Sequence, residues 1–347
     1  MPYCYYTCNL LPLDLIVQSG YVPRWLGRYL ASSPNSGPAE GLVVHPMTCP
    51  CVTKFVAAAE NVLQDAQGAQ DNCLIIPGGC DAMRRLGDLL AAAYPGRVFL
   101  LPLPRSSEPR AMRTLANDLR RLGDWLRSHL PEAGAEDAPA QLNSRVCARE
   151  DVQVHARGKA QVYFPESCPP VDYPSPPQPG GAFVIAGPLT DNSLLRLVEQ
   201  CGVPVSAFES CTSPDRWRPL SGRHPLAQYE ALAGFLLQTG MCPRRSTAER
   251  RAHLERRIME THASSVIYAR QSFCDPGAYD ALLAADLASK LGLPFLEIEV
   301  DFPFDANGPL RTRVEAFLEA QLLDDELLDD ALFDEASSLD NLPLEED

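Results

Sequence analysis

Twelve cysteines stand in this chain of 347 residues, and thiolates are the side chains that ligate soft metals and carry redox chemistry. Two of them share one setting. Cys80, in GGCDAM, follows a short apolar run and precedes a helix pattern, and Cys274, in QSFCDPGAY, does the same. Each is followed by an aspartate, which suits a helix N-terminus. Exposed amides and the helix dipole at such a place favour a thiolate, and with it an anionic metal cluster.

The other cysteines divide by context. Cys211, in FESCTSPDRW, repeats the strand-then-loop placement, while Cys49 and Cys51, in HPMTCPCVTKF, stand just before a helix. Pro50 stiffens the backbone between those two thiols, so one is expected as a ligand and the other as packing or as a ligand of a second centre. Cys73 inside a strand and Cys201 late in a helix read as small apolar fillers. Cys147 and Cys168 fall in an irregular stretch and carry no readable role. Structural zinc sites use tight cysteine pairs. None flanks Cys80 or Cys274, and the Cys4–Cys8 pair lacks a partner pair nearby. Single cysteines scattered over loops of two domains fit an iron–sulfur cluster in a cleft between them, and three thiolates would leave one iron open.

The elements that must position these residues are legible as alternating strands and helices. Leu11 to Gly20 reads as a short helix closed by glycine, Tyr21 to Pro23 as extended, and Val52 to Gln67 as a helix. Cys73 to Pro77 and Val98 to Leu103 are brief apolar runs bounded by turn residues, the pattern of buried parallel strands. Between and after them, Ala82 to Ala93 and Pro109 to Leu130 read as helices. The pattern resumes with strands at Ala182 to Ala186, Val203 to Phe208, Ser265 to Ala269 and Pro294 to Val300. Helices are expected at Asp191 to Gln200, Pro225 to Gln238, Thr247 to His262, Ala278 to Leu291 and Arg311 to Leu323. The fold class is therefore α/β, with two doubly wound, Rossmann-like parallel-sheet domains and a cluster site in the cleft between them. The expected division is an N-terminal domain over 1–165, a proline-rich linker over 166–181, a C-terminal domain over 182–323 and an acidic tail over 324–347.

Composition narrows the function classes. The net charge of −15 falls largely on the tail, where eleven acids and no base occur after Leu323. Such a segment reads as a solvated extension. No basic groove suggests nucleic acid, and no apolar run reaches the about 20 residues of a membrane span. The start lacks a basic leader region and carries Asp14 in its apolar stretch, so no secretory signal is expected and the location reads as cytoplasmic. No G-x-G-x-x-G or Walker A sequence supports nucleotide binding, and Gly78-Gly79 alone is a weak anion site. His45 reads as packed or solvated. Arg311 and Arg313 read as salt bridges clamping the closing helix near Asp301 and Asp305, and Arg216 reads as a surface residue or a partner for a substrate anion.

At the same residues the chain resembles the 2-hydroxyacyl-CoA dehydratase component family, which includes benzoyl-CoA reductase subunits and double-cubane cluster proteins. The resemblance runs through CNLLPLDLIVQSGYVPRWL, CPCVTKF, DNCLIIPGGCDAMRRLGDLL and VFLLPLP in the first half. In the second it covers CPRRSTAERRAHLERRIMETHASSVIYARQSFCDP and LGLPFLEIEVDFPFDANGPLRTRVEAFLEAQL. It implies a [4Fe-4S] cluster held by Cys49 (Cys51 if the register shifts), Cys80 and Cys274. A double-cubane [8Fe-9S] relative would draw further ligands from Cys8, Cys51, Cys211 and Cys242. It also implies an oxygen-sensitive lyase or low-potential reductase. A separate ATP-hydrolysing iron–sulfur activator would supply one electron, passed to an acyl-CoA thioester as a ketyl-type radical anion. The partner would be a related second subunit or a second copy of the chain. The alternatives are a double-cubane reductase of small molecules and a non-catalytic electron-relay or binding subunit. The central connection departs from the family in being short and proline-rich, and the acidic tail has no family counterpart.

Overall fold

The computed structural model describes residues 2–8, 10–30, 42, 44–45, 48–64, 71–129, 171, 173–212, 229–239 and 242–321. Cys147, Cys168, Arg216 and the acidic tail lie outside the described residues, as does most of the central connection.

Among the described residues eight strands form two four-stranded sheets, and every neighbour pair is parallel. The first sheet holds β1 (Tyr3–Tyr6), β2 (Val22–Trp25), β3 (Cys73–Gly78) and β4 (Val98–Pro102) in the order β2-β1-β3-β4. The second holds β5 (Ala182–Ala186), β6 (Val205–Glu209), β7 (Ser265–Gln271) and β8 (Phe295–Val300) in the order β6-β5-β7-β8. The two orders are the same when each strand is matched to its counterpart. The expected doubly wound architecture is thus what the chain adopts, with one strand more than the sequence reading assigned. β1 is four residues long at the start of the chain, and its apolar residues show neither alternation nor turn residues on both sides.

Helices cover both faces of each sheet, and the central strands β3 and β5, like the edge strand β6, are buried along their whole length. This is why they read as continuous apolar runs rather than alternating ones. In the first half the helices are α1 (Leu13–Gln18), α2 (Pro50–Gln64), α3 (Asp81–Ala93) and α4 (Pro109–Ser128). Leu115, Leu119, Leu122 and Leu126 of α4 are fully buried against the sheet, as the helical spacing of these leucines requires.

In the second half come α5 (Ser193–Gln200), α6 (Tyr229–Thr239), α7 (Thr247–Glu260), α8 (Asp275–Lys290) and a last helix, α9, over 308–321. Ser246 caps α7, its hydroxyl accepting from the Glu249 amide at 3.4 Å and donating to the Glu249 carboxylate at 3.0 Å, in the S-T-A-E pattern that suits a helix start. Arg311 and Arg313 hold α9 as a clamp, but through Gln200 at 2.5 Å and the Glu297 carbonyl at 3.0 Å.

The halves interlock. Tyr229, Leu232, Ala233, Leu236 and Leu237 of α6 lie in the core of the first sheet with the α4 leucines. Phe302, just past β8, is buried in the first unit's other core layer, its ring 5.8 Å from that of Phe55. The Ser107 hydroxyl donates to Glu249, and Arg244 donates to the Pro104 carbonyl. The C-terminal ends of the first sheet's strands are thereby joined to the loops that open α7 and follow β8.

Asp14, in the first turn of α1, is held up by burial to a pKa of about 6 from 3.8. A carboxyl raised in this way is stabilising in its protonated form, and that contribution is lost as pH rises through about 6. Asp14→Asn is expected to stabilise the protein by about 1–3 kcal/mol at pH 7 and by nothing at pH 3, as read from denaturant unfolding at the two pH values.

Candidate metal centre

In parallel α/β sheets the strand ends that feed helices form the ligand-binding edge, and the cysteines gather there. β3 ends in the turn Gly78-Gly79, where the Gly79 amide donates to the Pro77 carbonyl at 2.8 Å. A side chain at Gly78 would meet Arg84 Cγ at 3.2 Å, and one at Gly79 would meet Arg244 Cδ at 3.4 Å. The glycines let this tight turn pass, and Cys80 follows as N-cap of α3.

The second half builds the same arrangement. β7 ends at Gln271, and Phe273 takes a left-handed φ of 55°. Cys274 then caps α8, its carbonyl accepting from the Ala278 amide at 2.9 Å. A Cβ on Gly277 would stand 3.2 Å from Cys274 Sγ, so the glycine gives the thiol its place against the first helical turn. Cys49 heads α2, its carbonyl accepting from the amides of Val52 at 2.9 Å and Thr53 at 3.2 Å.

The three thiols experience the same opposed forces. Burial pushes each one up, and nearby helix-start amides pull it down: Met83 and Ala82 at Cys80, Gly277 at Cys274, and Val52 and Cys51 at Cys49. For Cys80 and Cys274 these amides sit close without closing a cap hydrogen bond. Burial wins in all three, and Cys274 is pushed up to about 12. Part of the rise comes from the thiols themselves. Cys274 is raised by the charges of Cys49, Cys80 and Cys242, Cys80 by those of Cys49 and Cys242, and Cys49 by Asp275 next to Cys274. Cys51, buried in the first turn of α2, is raised well above its ordinary value by burial and then by Cys49, Cys211, Cys80 and Cys274.

Cys49, Cys51, Cys80, Cys211, Cys242 and Cys274 therefore occupy one neighbourhood. Cys8 lies at the end of β1, packed against the first unit's core. The two expected fillers differ. Cys73 is buried in β3 beside Cys4 of β1, whereas Cys201 is half-buried at the end of α5.

Among the described residues no three His, Cys, Asp or Glu side chains surround the position of a single metal ion, and no disulfide joins the cysteines. In an iron–sulfur site thiolates ligate separate irons and need not crowd around one atom, so the donor set present is compatible with one. Half-buried thiols at helix starts, set among one another's charges, fit a cationic iron core that replaces their protons.

Behind the thiols lies a buried ionic network that sequence reasoning did not single out. Arg250 of α7 donates to both carboxylate oxygens of Asp280 at 2.8 Å and to Glu209 at 2.5 Å. Tyr268 donates to Asp280 at 3.0 Å, and His253 Nε2 stands 2.9 Å from Glu209. Arg250, Glu209 and Asp280 are at most 2% exposed in their side chains. Glu209 is two residues before Cys211, and Asp280 lies in the second turn of α8 after Cys274. The network ties the two cysteine-bearing segments to one helix. In the sequence Arg250 sits in ERRAHLERR, a run that reads as solvated, so only the fold could reveal it.

Residues 182–320 match the family described as 2-hydroxyglutaryl-CoA dehydratase, D-component. Over that segment the match bears out the resemblance read from the sequence, and it spans the whole second sheet with Cys211, Cys242 and Cys274. No curated protein matches the chain.

Removing one partner of a buried ion pair strands the others, so Arg250→Met is expected to cost about 3–5 kcal/mol in stability, measurable by chemical denaturation. Gly277→Ala separates folding from the site. Glycine in a helix interior costs about 0.5–1 kcal/mol relative to alanine, so this variant should fold at least as stably as the parent. The added methyl group crowds Cys274 Sγ, and iron retained after anaerobic reconstitution should fall at least about twofold, a loss ascribed to the ligand's displacement.

Proposed function

From the match of residues 182–320 to the dehydratase D-component family, we propose that the chain is the iron–sulfur component of a 2-hydroxyacyl-CoA dehydratase or a related acyl-CoA or benzoyl-CoA reductase. The observation that carries this reading is the gathering of Cys49, Cys80 and Cys274, each at the start of a helix, on the strand-end edge of two parallel sheets. These three residues would hold a [4Fe-4S] cluster. When bound, such a group supplies one-electron chemistry at low potential.

The chain's own residues do the rest. The starts of α2, α3 and α8 direct partial positive charge at the thiolates and offset the negative charge that ligation and reduction concentrate there. Phe55 and Phe302, packed together where the halves join, contribute apolar cover near the start of α2 and help keep water out. The Arg250 network holds the Cys211 and Cys274 segments in register. In this reading the electron comes from an ATP-hydrolysing iron–sulfur activator, the acceptor is an acyl-CoA thioester, and the chain works with a related second subunit or a second copy of itself.

A second reading, a double-cubane [8Fe-9S] reductase of small molecules, is favoured by one feature. Cys51 lies within range of the first three thiols and Cys211 within range of Cys51, which adds sulfur ligands for a larger cluster.

Anaerobic reconstitution with ferrous iron and sulfide decides between them. The first reading expects a brown protein with about four irons per chain and the second one with about eight. Under the first, Cys80→Ser and Cys274→Ser should each drop to below about one iron per chain and lose the broad visible absorbance. A wild-type protein that stays colourless would overturn both.

A further inference from the structure

The two halves carry the same strand order, β2-β1-β3-β4 and β6-β5-β7-β8, so each element of one has a counterpart in the other. Cys80 caps the helix after β3, and Cys274 caps the helix after β7; the two are counterparts. The helix before β3 is α2, and it is headed by Cys49-Pro50. The helix before β7 is α7, and the turn leading into it is headed by Cys242-Pro243.

The local geometry repeats as well. The Cys49 carbonyl accepts the amide three residues on, from Val52, at 2.9 Å, and the Cys242 carbonyl accepts the amide three residues on, from Arg245, at 3.0 Å. The Cys242 turn is also fixed against the Cys80 turn. Arg244, buried, reaches Gly79 with its Cδ 3.4 Å from where a Cβ would stand, and donates to the Pro104 carbonyl. Cys51 and Cys211 have no such counterparts: position 244 of the Cys242 turn is arginine, and two residues past β2, the strand matching β6, stands Gly27.

We infer that Cys242 is the fourth thiolate of the cluster, the internal counterpart of Cys49, so that the site is closed by four cysteines drawn pairwise from the two halves. The inference rests on the iron–sulfur reading above and sharpens it. With four thiolates no iron is left for an exogenous ligand, and the thioester oxygen of a substrate has no coordination position to occupy. The chain is then an electron-passing component, and the substrate binds elsewhere or on a partner subunit.

The test uses the full chain, reconstituted anaerobically, with potassium cyanide as the probe of an open iron. The reduced wild type should show an electron paramagnetic resonance spectrum that cyanide leaves unchanged. Cys242→Ser should retain less iron than the wild type, as Cys80→Ser and Cys274→Ser should, and the cluster that remains should show a shifted spectrum and respond to cyanide. A wild type that responds to cyanide, or a Cys242→Ser spectrum identical to the parent's, overturns the fourth ligand while leaving the iron–sulfur reading intact. A wild type that takes up no iron overturns both. Iodoacetamide labelling read by mass spectrometry gives a check free of mutagenesis. Cys242 should be protected in the reconstituted protein to the same extent as Cys80 and Cys274, and labelled at least about tenfold faster once iron is removed, as expected of a thiol released from metal. Equal labelling of Cys242 in both forms also overturns it.

Discussion

Desolvation of several thiols in one place governs the arrangement of this molecule. Cys49, Cys80 and Cys274 each have helix-start amides beside them that favour the thiolate, yet burial above all raises all three, helped by neighbouring sulfurs at Cys80 and Cys274 and by Asp275 at Cys49. In the proposed iron–sulfur reading, a metal core in place of the protons would neutralise the thiolates together, and the amides would then act on a charge that exists. The same balance makes ligation proton-releasing and therefore easier as pH rises.

The rest of the fold serves that meeting of thiols. Fully buried parallel strands give rigid supports whose ends are fixed within the sheet, and each short turn delivers a cysteine directly onto the next helix. The Arg250–Glu209–Asp280 network, dry and bidentate on one side, locks α7, α8 and the end of β6 together at a desolvation cost that apolar packing would not carry. The exchange of α6 and Phe302 into the first unit's cores means that the two halves are not docked at a simple surface. They share packing on both sides of the edge where the thiols lie.

Much of this was legible in the sequence because burial on both faces writes itself as short apolar runs, as in Cys73 to Pro77 and Ala182 to Ala186. Cys80 and Cys274 stood out because each joins such a run to a helix with an aspartate behind it. Three things did not show. β1 is too brief to leave a pattern, and its neighbour β3 lies some seventy residues away. Arg250 looks like any charge on a polar helix until Glu209 and Asp280 are brought to it from other elements. The kinship of Cys242 with Cys49 is hidden because the helix starts at once after Cys49, whereas three residues separate Pro243 from Thr247. Only the matched strand orders and the repeated carbonyl-to-amide turn make it visible.

Diffraction at the iron absorption edge from anaerobically grown crystals of the reconstituted protein tests the central claim most directly. The account predicts one compact anomalous peak on the shared strand-end edge, with the sulfurs of Cys49, Cys80 and Cys274 bonded to it. Iron absent from that edge, or bound there without those sulfurs, would contradict it.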